Sequence, residues 1–244
     1  MWQDYGRRGE ACDQKVMPMT HIDLYCERIT TDLWAEPVNA VTNAAFVLAA
    51  IILWRFAQHT GRLNNRLRLL LCLMGAIGIG SGLFHTFATA STRVLDELPI
   101  TLFVLYYVWL YCRFVLQMRA ISTSTLLVAT LLAAYGGKLL SQLLNGSLMY
   151  APVLLLVIGI GLNHLSQDRR ERYSIIAAAG AFASALFFRT VDNAICPVFP
   201  LGTHFLWHLL DATALYLVAR ALVANMSNNS LSGDMRTSQP PNRK

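Results

Sequence analysis

Charge is scarce in this 244-residue chain. Asp, Glu, Lys and Arg make up 14% of it, against 55% hydrophobic residues. Soluble domains carry about 25% charged residues, and a globule of this size with so little charge could not cover its surface with polar groups. This composition argues against a water-soluble enzyme and excludes a disordered chain. Cysteine is sparse, at five residues, which excludes a disulfide-dense secreted scaffold. No basic patch is interleaved with aromatics, so the net charge of +6 points to loop topology and anionic lipid, not to nucleic acid. The segment Met1–Thr20 lacks the apolar core of a signal peptide, and no internal repeat is visible.

What the chain does have is apolar runs of helical length. Seven candidate membrane spans fall at Pro37–Ala57, Leu67–Phe87, Leu98–Gln117, Ile121–Tyr135, Ser147–His164, Tyr173–Phe188 and Thr203–Ala224. The fourth is the weakest, because Gly136, Gly137 and Lys138 interrupt it before Leu139–Leu144; the other boundaries carry charged or turn residues, including Ser91–Arg93. Backbone groups in lipid must be satisfied internally, so the expected fold is an all-α seven-helix transmembrane bundle. Gly75, Gly78, Gly80 and Gly82 would allow close helix approach in span two. The expected organisation is a polar N-terminal segment (residues 1–35), a transmembrane domain (36–224) and a disordered tail (225–244) rich in Ser, Asn and Pro. Of the 20 basic residues, 7 fall on the N-terminal side of the bundle and 13 on the other. The positive-inside rule then predicts an extracytoplasmic N-terminus and a cytoplasmic C-terminus.

Three histidines interrupt apolar runs. His85 lies near the end of span two, and His204 and His208 lie at the start of span seven, spaced i, i+4 on one helix face. Even-numbered spans end on the N-terminal side and odd-numbered spans begin there, so the three imidazoles share one layer with Asp96, at the start of span three. Three neutral imidazoles with an open fourth position form the ligand set of a catalytic zinc site, and a nearby carboxylate can take and return a proton. Ionisable groups inside a membrane are costly, which argues against a bland role for such a set. Ser81, one turn before His85, has two readings. Its hydroxyl either reaches the metal or a developing oxyanion, or it bonds its own helix carbonyl. His21, His59 and His164 sit in loops or at span ends and read as bland.

S-x-x-x-H at Ser81–His85, L-D-E-L-P at Leu95–Pro99 and H-x-x-W-H at His204–His208 together resemble the alkaline ceramidases. So do D-L-Y-C-E-R at Asp23–Arg28, A-E-P-V-N-A-V-T-N at Ala35–Asn43 and R-T-V-D-N-A-I-C at Arg189–Cys196. The wider superfamily includes the adiponectin and progestin receptor proteins. The resemblance implies a membrane amidase that splits ceramide-like lipids into a sphingoid base and a fatty acid. It implies zinc on His85, His204 and His208, with Asp96 and Ser81 as catalytic residues. It also implies a calcium site on Asp23, Glu27 and Glu36, although Ile29 stands where an Asn ligand would fall, and a disulfide between Cys26 and Cys196. Asp192 either supports a ligand histidine or caps its loop. The expected partners are the bilayer and a lipid substrate, with no nucleic acid and no obligate protein partner. The expected location is a plasma or inner membrane in a prokaryotic host and an endomembrane in a eukaryotic one. The rival readings are a hydrolase for another acyl lipid, a zinc-containing receptor, and a transporter.

Overall fold

A computed structural model describes residues 21–140 and 142–226. Most of the predicted N-terminal segment (1–20) and nearly all of the predicted tail (227–244) lie outside the described residues. The elements are α1 (Pro37–Thr42), α2 (Ala44–His59), α3 (Asn65–Phe87), α4 (Ala90–Phe114), α5 (Ala120–Leu139), a 3-10 segment (Leu143–Tyr150), α6 (Ala151–Ser166), α7 (Ser174–Ile195) and α8 (His204–Asn225). Among the described residues they make seven helices long and apolar enough to cross a membrane, with α1 and α2 joined in one span and the 3-10 segment leading into α6. This is the architecture of an integral multi-pass membrane protein. Gly136–Lys138 do not interrupt the fourth span; α5 runs through them to Leu139.

The third span differs most from expectation. Ser91–Arg93 are not a loop, because α4 already starts at Ala90. The Thr89 side chain accepts from the Thr92 backbone, and the Thr92 hydroxyl accepts from the Thr89 N–H, a reciprocal cap that satisfies two N-terminal donors. Ala88 closes α3 in a left-handed conformation at φ 48°, so Ala88 and Thr89 alone turn the chain from α3 into α4.

That tight turn lays α3 and α4 side by side at the same end of the bundle. Pro99, inside α4, has no N–H and cannot bond the Leu95 carbonyl one turn back. The Leu95 carbonyl packs instead against Gly80 of α3, where a Cβ would fall 2.0 Å from its oxygen. A small residue at this point lets the two backbones touch. Gly78 plays the same part toward α1 and α2, since a Cβ there would lie 2.7 Å from the Asn43 carbonyl oxygen, whereas Gly75 faces open space and mediates no approach.

Two other helix starts are capped from a distance. Pro37 opens α1, where its missing N–H goes unneeded. Both oxygens of Glu27 accept the next free donors, Val38 N–H at 2.8 Å and Asn39 N–H at 2.9 Å. Asp192, near the end of α7, accepts from Thr203 N–H at 2.7 Å and His204 N–H at 2.9 Å, which caps α8. Its other oxygen accepts from Cys26 N–H at 3.0 Å. Cys26 and Cys196 form a disulfide.

Substituting Gly80→Ala should lower stability by about 1–3 kcal/mol, because the new methyl meets backbone and not a mobile side chain. Gly75→Ala should stay within about 0.5 kcal/mol of wild type. Thermal unfolding in detergent micelles tests both, and equal melting of Gly80→Ala and wild type would refute the contact.

Candidate metal centre

The short α3–α4 turn and the capped start of α8 bring His85, His204 and His208 together. All three are almost fully buried, with 1%, 2% and 1% of their surfaces exposed. Their ring centroids lie 5.2 Å (85–204), 4.8 Å (85–208) and 4.7 Å (204–208) apart. One ligand atom from each ring falls within 4.8 Å of the others, and this is the group among the described residues that could hold a metal ion.

Hydrogen bonds on the far side of two rings fix which nitrogen is free. Nδ1 of His85 lies 2.5 Å from a Glu36 carboxylate oxygen, so in the neutral ring the proton sits on Nδ1 and Nε2 is the nitrogen left for a metal. Nδ1 of His208 lies 2.9 Å from the Thr42 hydroxyl oxygen. That hydroxyl also faces the Val38 carbonyl at 2.8 Å and the Asn39 carbonyl at 3.1 Å, and donating to either leaves it to accept from His208. His208 Nε2 is then also unprotonated. His85 Nε2, His208 Nε2 and His204 Nδ1 are all buried with no hydrogen-bond partner. Buried polar atoms are rarely left unpaired, and three convergent orphaned imidazole nitrogens fit a metal ion.

The expected calcium site does not fit. Glu27 is engaged in capping α1. Glu36 accepts from Arg28 Nε at 2.5 Å with one oxygen, and from His85 and from the Asn39 amide at 3.1 Å with the other. Arg28 also donates to the carbonyl oxygen of His85 at 2.8 Å, and reaches those of Thr30 and Asp32 at 3.5 Å. The cation among these oxygens is a guanidinium of the chain itself. Burial raises the Glu36 carboxyl, but the hydrogen bonds and charges of His85 and Arg28 outweigh it and hold the group below its ordinary range. Asp23 is exposed.

Asp96 is half-buried beside this cluster, close enough to His85 for electrostatic coupling and within hydrogen-bonding reach of the Ser81 hydroxyl. The Gly80–Leu95 contact sets this approach, since Ser81 and Asp96 are the next residues on each helix. Asp192 resolves its two readings as a cap: it holds the α8 backbone at His204 and does not bond a ring. His164, read as bland, is fully buried at the opposite end of α6 and lies 2.5 Å from the Tyr111 hydroxyl.

Three contributors lie within the matched motifs without having been assigned a role there. Tyr25 stacks on His204 with centroids 3.6 Å apart. Arg189 is electrostatically coupled to Tyr25, lies 5.4 Å from the Tyr150 ring centroid, and donates to the Asn145 carbonyl at 2.7 Å and the Ser147 hydroxyl at 3.1 Å. Thr42 serves His208, and a Thr one turn into a helix ordinarily bonds only its own backbone.

A membrane-embedded three-histidine centre beside a carboxylate and a hydroxyl defines a class of multi-pass protein with a candidate metal site at one end. The chain belongs to the ceramidase family, whose family model matches residues 18–236. It is also 33% identical over 78 residues to alkaline ceramidase YPC1 of Saccharomyces cerevisiae, a stretch covering 31% of this chain and 24% of that protein. The match thus spans about a quarter of the yeast relative's length.

The purified protein should carry about one divalent metal ion per chain, lost in His208→Ala. Thr42→Val should weaken metal affinity about 10–100-fold, the usual effect of losing the partner that orients a ligand histidine. Elemental mass spectrometry and competitive chelation measure both; undiminished metal in His208→Ala would exclude this centre.

Proposed function

We propose that this protein is a zinc-dependent membrane amidase that hydrolyses the N-acyl bond of ceramide-like lipids, giving a sphingoid base and a fatty acid. Family membership supports the substrate class. The observation that carries the reaction type is the Ser81–Asp96 pair, with Asp96 electrostatically coupled to His85, one of the three rings with an orphaned nitrogen. A purely structural metal site has no need of a proton acceptor beside it.

Zinc suits an all-nitrogen set, and when bound would supply Lewis acidity toward an amide carbonyl and a water acidified to a pKa near 7. Asp96 accepts the proton of the attacking water and returns it to the departing amine nitrogen. Ser81 orients Asp96 at rest and donates to the carbonyl oxygen as negative charge develops there. Tyr25 and Glu36 hold His204 and His85 in place and shield the centre from bulk water. Residues 36–224 form the catalytic domain in this reading.

The metal end is also the disulfide end, and disulfides persist in oxidising compartments. Together with the basic-residue bias, this supports an extracytoplasmic N-terminal face.

Purified protein incubated with ceramide should release equimolar fatty acid and sphingoid base, measured by mass spectrometry. Release should vanish in His85→Ala and fall by about 10²–10⁴ in Asp96→Asn. Chelation should abolish it and zinc should restore it. Full turnover by His85→Ala would overturn the reading.

A further inference from the structure

A cavity of about 120 Å³ lies among α4, α5, α6, α7 and α8, and its wall includes Trp207, the chain neighbour of His208. Its wall is almost wholly apolar, with Phe103, Val104, Phe182 and Leu215 typical of it. Of the lining hydroxyls, those of Thr101 and Thr130 donate back to carbonyls of their own helices at 3.1 and 2.8 Å, Tyr150 adds another, and that of Tyr107 is buried with no hydrogen-bond partner among the described residues. One acidic residue stands on this wall, Asp211 of α8.

Asp211 is 4% exposed and has no hydrogen-bond partner among the described residues. An unpaired carboxyl in such a place is expensive, whichever protonation state it takes. Its neighbours one turn away on α8, Trp207 and Leu215, make no hydrogen bond to it. Its position relative to the centre is specific. Asp211 follows His208 by three residues and His204 by seven, on the same helix face, which sets it about 4.5 Å deeper than His208 along the axis. A chain entering the cavity from the reacting amide would pass it within the first few carbons.

We propose that Asp211 is a specificity-determining residue: its carboxyl hydrogen-bonds a hydroxyl carried near the amide on the lipid chain that fills the cavity. The ligand class is a hydroxylated N-acyl sphingoid lipid. The hydroxyl is either on the carbon next to the acyl carbonyl or on the sphingoid base, according to which chain lies in the cavity. A carboxyl accepts such a hydroxyl and is satisfied by it, whereas a plain chain leaves the carboxyl buried and unpaired. Discrimination by a site built to bond a hydroxyl is correspondingly large. This inference rests on the amidase reading, because the amide is what fixes the depth of the hydroxyl.

The test compares kcat/KM on two matched pairs of ceramides, one pair with and without a 2-hydroxyl on the acyl chain, the other with and without a 4-hydroxyl on the base. Wild type should prefer the hydroxylated member of one pair by about 10–100-fold, and that pair identifies the chain in the cavity. Asp211→Leu should bring the ratio close to one, and Asp211→Asn, which keeps a hydrogen-bonding group, should retain part of it. Asp211→Leu should melt no lower than wild type, since it removes an unpaired buried group.

A second readout is independent of turnover. A 2-hydroxy fatty acid or a 4-hydroxy sphingoid base should raise the melting temperature of wild type more than its plain counterpart does, and Asp211→Leu should lose the difference. No preference in either pair with wild type, or a preference that survives Asp211→Leu, would overturn the proposal. The melting difference without hydrolysis would instead uphold the subsite and remove the amidase reading.

Discussion

The Glu36 carboxylate is the interaction on which the functional end of the bundle depends. It is 2% exposed, and a carboxylate so buried is tolerable only when paired on every side. Arg28 supplies a positive charge, and His85 and Asn39 supply further donors. The same contacts do two structural jobs. They anchor the loop that precedes α1 to α3, and they force the proton of His85 onto Nδ1, leaving Nε2 free for a metal. A neutral residue at position 36 would strand the Arg28 guanidinium and release the His85 ring together.

This arrangement explains why a cation from solution is not needed among these oxygens. The guanidinium is planar and permanently charged, and its donors reach one carboxylate and three carbonyls at once. It gives the loop the neutralisation that a bound ion would otherwise give. Its covalent attachment removes the cost of capturing a free ion. Glu27 belongs to the other half of the device, with its charge used at the α1 N-terminus, where the helix dipole favours it.

The sequence carried the architecture well because bilayer thickness and hydropathy constrain it strongly. Span parity alone put His85, His204, His208 and Asp96 in one layer, and the structure brings them together. The span-three boundary was misplaced because Ser91, Thr92 and Arg93 look like loop residues; only the reciprocal cap at Thr89 and Thr92 shows them to be a helix start. The calcium expectation came from a resemblance in which acidic residues match position by position. Pattern alone does not reveal that Arg28 folds back onto Glu36. Tyr25 and Thr42 act through contacts across the bundle that leave no local periodicity. Asp211 had a usable signal, an acid inside an apolar span one turn beyond a histidine pair, but it stood outside every matched motif.

The position of the polar groups also bears on how a lipid reaches them. On the aqueous side the centre is roofed. Tyr25 stacks on His204, the disulfide ties Cys26 to the end of α7, and Asp192 holds Cys26 and the start of α8 in one set of hydrogen bonds. Gly202 completes the roof at φ +68°, where a Cβ would fall 2.3 Å from an Asp192 carboxylate oxygen and 2.5 Å from Cys26. The cavity, by contrast, lies among helices within the membrane zone, bounded in part by α5, whose span is only 11% buried. A rigid cover toward water and a lightly packed wall toward lipid suit a substrate whose chains never leave the bilayer. In the proposed reading such a substrate arrives already desolvated, so its binding would need only to place the amide at the histidines and one polar substituent at the carboxyl below.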